Sequence, residues 1–126
     1  MQNLVFVVDD NDANLIVAAC VLEVEYRVLT MLSAKKMFSL LGKKRPEMIL
    51  LDIEMPDISG FDAIAILKQN PEWKDIPVIF LTGWTDAKML SLALDAGACD
   101  VISKPIDPEA LLNSVKKNIL WDKVPV

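Results

Sequence analysis

The chain has 126 residues, of which 53% are hydrophobic and 25% are charged, and its formal net charge is −5 at pH 7. This length and composition predict one globular domain with a sizeable core. The acidic net charge argues against direct nucleic acid binding. No apolar run is long enough to cross a bilayer, and no secretion signal opens the chain. We therefore expect a cytoplasmic protein without membrane contact.

Five short apolar runs alternate with five longer segments of helical character. The runs are rich in Val, Ile and Leu and show little alternation, as expected of strands buried on both faces. This strand–helix repeat predicts an α/β fold in which a parallel sheet is covered by helices on both sides. We predict strands at residues 4–8, 27–30 (near an edge), 48–51, 78–81 and 101–103, and helices at residues 13–23, 34–42, 60–68, 86–96 and 108–119.

Local residues mark where several helices begin and end. Ser33, Thr85 and Asp107 are predicted N-caps, Pro108 suits the first position of the fifth helix, and Gly97 is predicted to stop the fourth. No linker or repeat divides residues 1–126, so we interpret them as a single domain. Residues from about 121 onward resemble a tail or the start of a linker.

The two cysteines, Cys20 and Cys99, lie in apolar stretches and lack metal or redox spacing. We therefore predict that both thiols are buried in the core of a protein from a reducing compartment. The chain has no histidine, which removes the commonest general base and transition-metal ligand. An active site would have to use Asp, Glu, Lys, Ser and Thr.

Three carboxylates follow two of the predicted strands. Asp9 and Asp10 come after the first strand, and Asp52 comes after the third. Thr82 and Lys104 follow the fourth and fifth strands. Because ligands of open parallel sheets bind beyond the carboxyl ends of the strands, these side chains are expected to converge at one edge.

This set of side chains has a consistent chemistry. Oxygen ligands without His or Cys favour Mg²⁺, with Mn²⁺ as the alternative. A carboxylate can act as a nucleophile toward phosphorus, and a lysine and a hydroxyl can bind the transferred oxygens. Each residue alone could equally be a helix cap, a turn residue or a surface charge, and only their joint placement favours a site.

Five segments of the chain form a recognisable set of motifs. They are residues 7–11 (VVDDN), 50–60 (LLDIEMPDISG), 76–82 (IPVIFLT), 96–98 (AGA) and 103–105 (SKP). Together they resemble the receiver domain of bacterial two-component response regulators, over essentially the whole chain. The resemblance implies a flavodoxin-like, doubly wound (βα)5 fold with strand order 2-1-3-4-5, as in chemotaxis receivers.

The resemblance also implies how the site would work. A phosphohistidine on a partner histidine kinase or histidine phosphotransfer protein would donate its phosphoryl group to Asp52. Lys104 and Thr82 would contact that group, and the peptide bond before Pro105 would be cis. The metal ligands would be Asp9, Asp10, Asp52 and the backbone carbonyl of Glu54.

By the same resemblance, the chain would relay signals and would catalyse nothing beyond its own phosphorylation and dephosphorylation. Receivers of this family also homodimerise through the fourth helix, fifth strand and fifth helix. Met89, Leu90 and Leu92 could serve such a contact, although at helical spacing some of them must be core residues.

Two positions depart from the family pattern. Many receivers carry an aromatic residue where this chain has Val101, so the usual coupling of the threonine to a ring is in doubt here. The alternative is that Val101 fills the same space. After Thr82 come Gly83 and Trp84, and we hypothesise that Trp84 and Glu54 restrict the access of water to the phosphoryl group. The alternative is that Trp84 packs on its own loop or on a partner.

The first helix is apolar on nearly every side across residues 16–22. Histidine-bearing partners often dock on this helix in the family, so its exposed side is a candidate docking surface. The alternative is tight burial between the sheet and a neighbouring helix.

Other functions remain open at this stage. An aspartate-nucleophile phosphatase would usually have a second aspartate where Glu54 stands, and would leave the Asp9–Asp10 pair unexplained. A degenerate receiver that only scaffolds partners would usually have lost an acid or the lysine. A nucleotide-binding enzyme would need a glycine-rich loop, and the chain has only four glycines.

Overall fold

Five strands alternate with five helices in the computed structural model, which describes residues 3–123 and the side chains of residues 3–119. All ten elements lie where the hydrophobic pattern predicts them, with ends that differ by a few residues. The elements are β1 (Leu4–Val8), α1 (Asp12–Leu22), β2 (Arg27–Met31), α2 (Ala34–Leu41), β3 (Met48–Asp52), α3 (Gly60–Gln69), β4 (Val78–Thr82), α4 (Ala87–Asp95), β5 (Asp100–Ser103) and α5 (Pro108–Lys123).

The strands form one parallel sheet in the order β2-β1-β3-β4-β5, as predicted. β1 and β3 are neighbours although β2 lies between them in sequence, so the strand order reverses at their carboxyl ends. β2 is an edge strand, which agrees with its weak apolar pattern.

The sheet separates two hydrophobic clusters. Alternate strand residues such as Phe6, Ile49 and Phe80 pack with α2, α3 and α4 on one face. Their neighbours in sequence, such as Leu50 and Ile79, pack with α1 and α5 on the other face. All five residues of β3 and of β4 are buried, which explains why these strands read as continuous apolar runs.

Two predicted helix starts are wrong by one residue. Asp86, not Thr85, caps α4, because its carboxylate accepts a hydrogen bond from the Met89 N–H at 2.8 Å. α1 begins at Asp12, because Asn11 acts as its N-cap. Ser33 caps α2 as predicted, and Gly97 follows α4 with the left-handed φ of +109° that favours glycine.

The predicted burial of both cysteines is wrong, since Cys20 and Cys99 are exposed. α1 turns Leu15, Ala18 and Leu22 toward the sheet, so Cys20 falls on the solvent side of an unusually apolar helix. Cys99 lies just before β5, outside the apolar packing of that strand.

The end of the chain differs from its prediction in one respect. α5 continues to Lys123, so residues 121–123, predicted as tail, belong to the helix. Residues 124–126 of the predicted tail lie outside the described residues. Within residues 3–123, no helix has the length and apolar character needed to cross a membrane.

Candidate functional site at the carboxyl edge of the sheet

The ends of four strands bring the predicted site residues to one edge. Asp9 follows β1, Asp52 ends β3, Thr82 ends β4 and Lys104 follows β5. Asp52 pairs with Leu81, and Thr82 pairs with Ser103 in the parallel register. The backbone N–H of Lys104 donates to the Thr82 carbonyl at 2.8 Å, which continues the β4–β5 ladder into the site.

Three carboxylates meet at this edge. Each of Asp9, Asp10 and Asp52 offers an oxygen within 4.8 Å of the others. The side chains of Asp9 and Asp52 are 0% and 2% exposed, whereas Asp10 is exposed. Two buried like charges at this distance need a compensating cation.

Lys104 supplies that positive charge in the present structure. Its Nζ lies 2.8 Å from Oδ1 of Asp52 and 3.0 Å from Oδ2 of Asp9. The ammonium therefore bridges the two buried carboxylates. The peptide bond between Lys104 and Pro105 is cis, as expected from the family resemblance.

The start of α1 orients Asp9. The backbone N–H of Asn11 donates to Oδ1 of Asp9 at 2.9 Å, and the side-chain amide of Asn14 donates to Oδ2 at 3.1 Å. Sequence reasoning missed Asn14. Its position one helical turn after the Asp9–Asp10 pair could have identified it, because residues on that turn face the same strand end.

The two oxygens of Asp52 have different surroundings. Oδ1 accepts hydrogen bonds from Lys104 Nζ and from the Glu54 N–H, the latter at 3.2 Å. Among the described residues, no hydrogen bond reaches Oδ2. Every fully buried side-chain oxygen in that part of the chain has a partner, so Oδ2 is not fully buried. Asp52 also lines an open cleft of about 390 Å³. Oδ2 is therefore the oxygen that reaches the cleft.

Burial shifts the acidity of this pair. Desolvation and the nearby charge of Asp9 raise the pKa of Asp52 from 3.8 to about 6, although the bonds from Lys104 and the Glu54 N–H oppose the shift. Burial by itself lowers the pKa of Lys104. The contacts with Asp52 and Asp9 outweigh that effect, so the lysine pKa lies above 10.5 and the amine stays charged at neutral pH.

Comparison with known proteins identifies the family. The model of the response regulator receiver domain matches residues 5–116 of this chain. The chain belongs to the receiver domain family. It is therefore a receiver domain of two-component signalling, and its fold agrees with that of solved members.

Relatives of this receiver domain occur inside larger proteins. A probable cyclic di-GMP phosphodiesterase of Vibrio cholerae serotype O1 is 33% identical over 118 residues, which are 94% of this chain and 27% of that protein. The CAI-1 autoinducer sensor kinase/phosphatase CqsS of the same organism is 34% identical over 116 residues, 90% of this chain and 17% of that protein. The chain thus spans about a quarter or less of these relatives.

A solved structure agrees with the fold. The receiver domain of a signal transduction histidine kinase from Syntrophus aciditrophicus superposes with a TM-score of 0.87 at 27% identity, and the match covers 98% of this chain and 95% of that one.

The acidic edge fits the magnesium site of the family. Receiver domains bind Mg²⁺ at an acidic pocket, and this receiver presents a cluster of three aspartates there. The donors are all hard oxygens, which Mg²⁺ prefers, and one oxygen from each aspartate lies within 4.8 Å of the others. The residues present therefore suit a divalent ion.

Two of the remaining predicted residues line the cleft of this receiver, and two are packed behind it. Trp84 is 65% exposed and lines the cleft together with Glu54. Thr82 is buried, and its Oγ1 accepts a hydrogen bond from the Trp84 N–H at 3.1 Å. Val101 is half-buried, pairs with Phe80 across the β4–β5 ladder and packs against the α2–α3–α4 cluster.

Proposed function

We propose that this receiver takes a phosphoryl group from a phosphohistidine of a partner protein onto Asp52, in a reaction that needs Mg²⁺. The observation that carries the proposal is the buried carboxylate of Asp52, which shares the Lys104 ammonium with Asp9 and keeps one oxygen open to the cleft. Phosphorylation would change the charge at Asp52 and so alter how the protein contacts its partners.

The proposed metal ligands are Asp9, Asp10, Asp52 and the backbone carbonyl of Glu54. A bound Mg²⁺ would neutralise charge on the carboxylates and on the phosphoryl oxygens. The closeness of the three carboxylate oxygens supports this ligand set, and the hydrogen bond from the Glu54 N–H to Asp52 keeps the loop of Glu54 beside the site.

Asp52 is the proposed nucleophile. Its Oδ2 would attack phosphorus while the bond from phosphorus to the imidazole nitrogen breaks and that nitrogen keeps the electron pair. A pKa of about 6 leaves most of the carboxylate ionised at neutral pH, as a nucleophile must be. The product is an acyl phosphate on Asp52.

Lys104 and Thr82 are proposed to bind the transferred group. The lysine lies against Oδ1 of Asp52, so a short movement of Nζ would bring its charge to a phosphoryl oxygen. The Thr82 hydroxyl accepts the Trp84 N–H, which leaves its own proton available for donation. Trp84 and Glu54 are proposed to limit the entry of water and so to slow the loss of the group.

The phosphohistidine must come from outside residues 1–126, because these residues contain no histidine. Receiver domains pair with histidine kinases, and one relative is itself a sensor kinase/phosphatase. We propose that a kinase or a phosphotransfer protein docks on the exposed side of α1. Ile16 is 63% exposed and Val17 is 39% exposed, and both lie on the helix that begins beside the cleft.

Homodimerisation through α4, β5 and α5 remains a further proposal. Leu90 and Leu92 are exposed and could contribute, whereas Met89 is half-buried and packs against the core.

The function is tested with Mg²⁺, a small acyl phosphate and intact-mass spectrometry. We expect one phosphoryl group on the parent and on Asp57→Ala, a control acid on the loop after β3, and none on Asp52→Ala. Steady release of phosphate from unrelated monoesters would instead support a phosphatase. No labelling by the acyl phosphate or by a phosphorylated kinase would support a scaffold.

A further inference from the structure

Asn14 directs its side-chain amide at Asp9 from the wall of the cleft. Its Nδ2 donates to Oδ2 of Asp9 at 3.1 Å, and the residue is half-buried and lines the cleft. The helix cap uses the backbone N–H of Asn14, which donates to Oδ1 of Asn11 at 3.2 Å, and does not use its side chain. The side chain of Asn14 can therefore be changed without removing the cap.

Asn14 and Lys104 bind the same oxygen. Oδ2 of Asp9 lies 3.1 Å from the Asn14 amide and 3.0 Å from Lys104 Nζ. If Lys104 moves to a phosphoryl group, as in the proposed function on which this inference rests, Oδ2 loses its charged partner. The donors that remain are the Asn11 N–H on Oδ1 and the Asn14 amide on Oδ2.

The two kinds of donor differ in their effect on cation binding. An ammonium on Asp9 cancels the charge that would attract a metal ion, whereas a neutral amide orients the carboxylate and leaves its charge intact. Each carboxylate oxygen has two acceptor sites, so Oδ2 can accept the amide and still face a cation.

We propose that Asn14 is a positioning residue that holds Asp9 in its metal-binding orientation once a metal ion or a phosphoryl group has displaced Lys104 from it. Hydrogen-bonding partners of metal ligands commonly contribute about 10- to 100-fold to metal affinity. Because the Asn11 N–H still orients Oδ1, the effect of losing Asn14 should lie at the lower end of that range.

The test compares Asn14→Ala with Asn113→Ala, which removes an exposed asparagine from α5. Mg²⁺ binding is measured by calorimetry, and thermal unfolding is measured in EDTA. For Asn14→Ala we expect the Mg²⁺ Kd to rise about tenfold. Its melting temperature in EDTA should stay close to that of the control, because Lys104 still holds Asp9 when no metal is present.

Two results would overturn the inference. One is a Kd within about twofold of the parent, far below the effect expected of a ligand-orienting partner. The other is a large loss of stability in EDTA with unchanged affinity, which would make Asn14 a purely structural residue.

If Asn14→Ala does not fold, the parent still decides the question. Its Asn14 side-chain NH₂ resonances should keep their hydrogen-bonded positions through a Mg²⁺ titration, and their release would overturn the inference. A parent that binds Mg²⁺ but takes no phosphoryl group would reject the proposed function, whereas the calorimetry decides on Asn14 in either case.

Discussion

At the scale of the residue, burial and charge act against each other at Asp52. A carboxylate that is 2% exposed resists ionisation, and a second buried carboxylate at Asp9 adds to that resistance. The Lys104 ammonium offsets part of the cost. The two buried carboxylates together carry more negative charge than the one ammonium offsets. The site therefore favours the uptake of a cation or the loss of a negative charge.

This balance predicts a pH dependence of stability in the metal-free protein. Asp52 takes up a proton near pH 6 in the folded state and near pH 3.8 in the unfolded chain, so the folded state binds more protons between these values. The free energy of unfolding therefore falls as pH rises from 3.8 to about 6. The loss should be on the order of 2–3 kcal/mol relative to Asp52→Asn. Urea unfolding in EDTA at several pH values measures it, and parallel curves for the two proteins would contradict it.

Trp84 is expected to slow the loss of the phosphoryl group. Its exposed ring lines the cleft, so Trp84→Ala should admit water and speed dephosphorylation severalfold. Leu94→Ala, which removes an exposed apolar side chain from α4, is the control. Phosphate release from the phosphorylated proteins gives the rates. Equal rates for the parent and Trp84→Ala would reject this role.

The site residues that follow the ends of strands could be predicted from the sequence. Asp9, Asp52, Thr82 and Lys104 could be placed together because a parallel sheet gathers its carboxyl ends at one edge. The exposure of Cys20 could not be predicted, because the apolar residues of α1 surround the helix and hide which side faces the sheet. The Asn14 contact depends on a side-chain direction that sequence spacing alone does not supply.

At the scale of the element, α3 is fixed tightly to the strand that carries Asp52. The Gly60 N–H donates to the Ile53 carbonyl at 2.7 Å. A Cβ on Gly60 would lie 2.7 Å from the Ile53 Cα and 2.8 Å from the Asp52 carbonyl oxygen, both of which are backbone atoms that cannot move aside. Glycine is therefore required where α3 begins.

Gly60→Ala is accordingly expected to destabilise the protein by about 1–3 kcal/mol through overpacking. Gly42→Ala is the matched control, because its nearest neighbour would be 3.6 Å away and its φ is −71°. The control should be neutral or more stable by about 0.5 kcal/mol. Urea unfolding measures both, and equal effects at the two glycines would contradict the packing argument.

The exposed side of α1 predicts a difference between phosphodonors. Ile16→Glu should slow transfer from a phosphohistidine partner, because the charge disrupts an apolar docking surface. Transfer from a small acyl phosphate should not change. Val24→Glu alters a 78% exposed residue in the turn after α1 and serves as the control. An Ile16→Glu protein that folds and retains the parent rate with the protein donor would reject docking on α1.

Helix and strand positions were predictable, but some of their ends were not. Thr85 and Asp86 are both good N-cap residues, and only the backbone geometry decides that Asp86 accepts the Met89 N–H. The end of α5 was missed because its apolar period fades after Ile119 while the backbone remains helical to Lys123.

At the scale of the whole molecule, the fold followed from the repeated alternation of buried strands with helices. That pattern implies a parallel sheet with two covered faces, and the reversal of strand order at β1 and β3 places the acids in a cleft. The strand order itself came from the family resemblance, since alternation alone allows several orders.

The central claim is that Asp52 alone accepts the phosphoryl group. Its most direct test is to phosphorylate the parent with a small acyl phosphate and Mg²⁺, reduce it with borohydride and map the peptides by mass spectrometry. Reduction converts a phosphorylated aspartate to homoserine and so records the position of the bond. We expect homoserine at position 52 only, and none when EDTA replaces Mg²⁺. Homoserine at Asp9, Asp10 or Asp57 instead, or at no position, would contradict it.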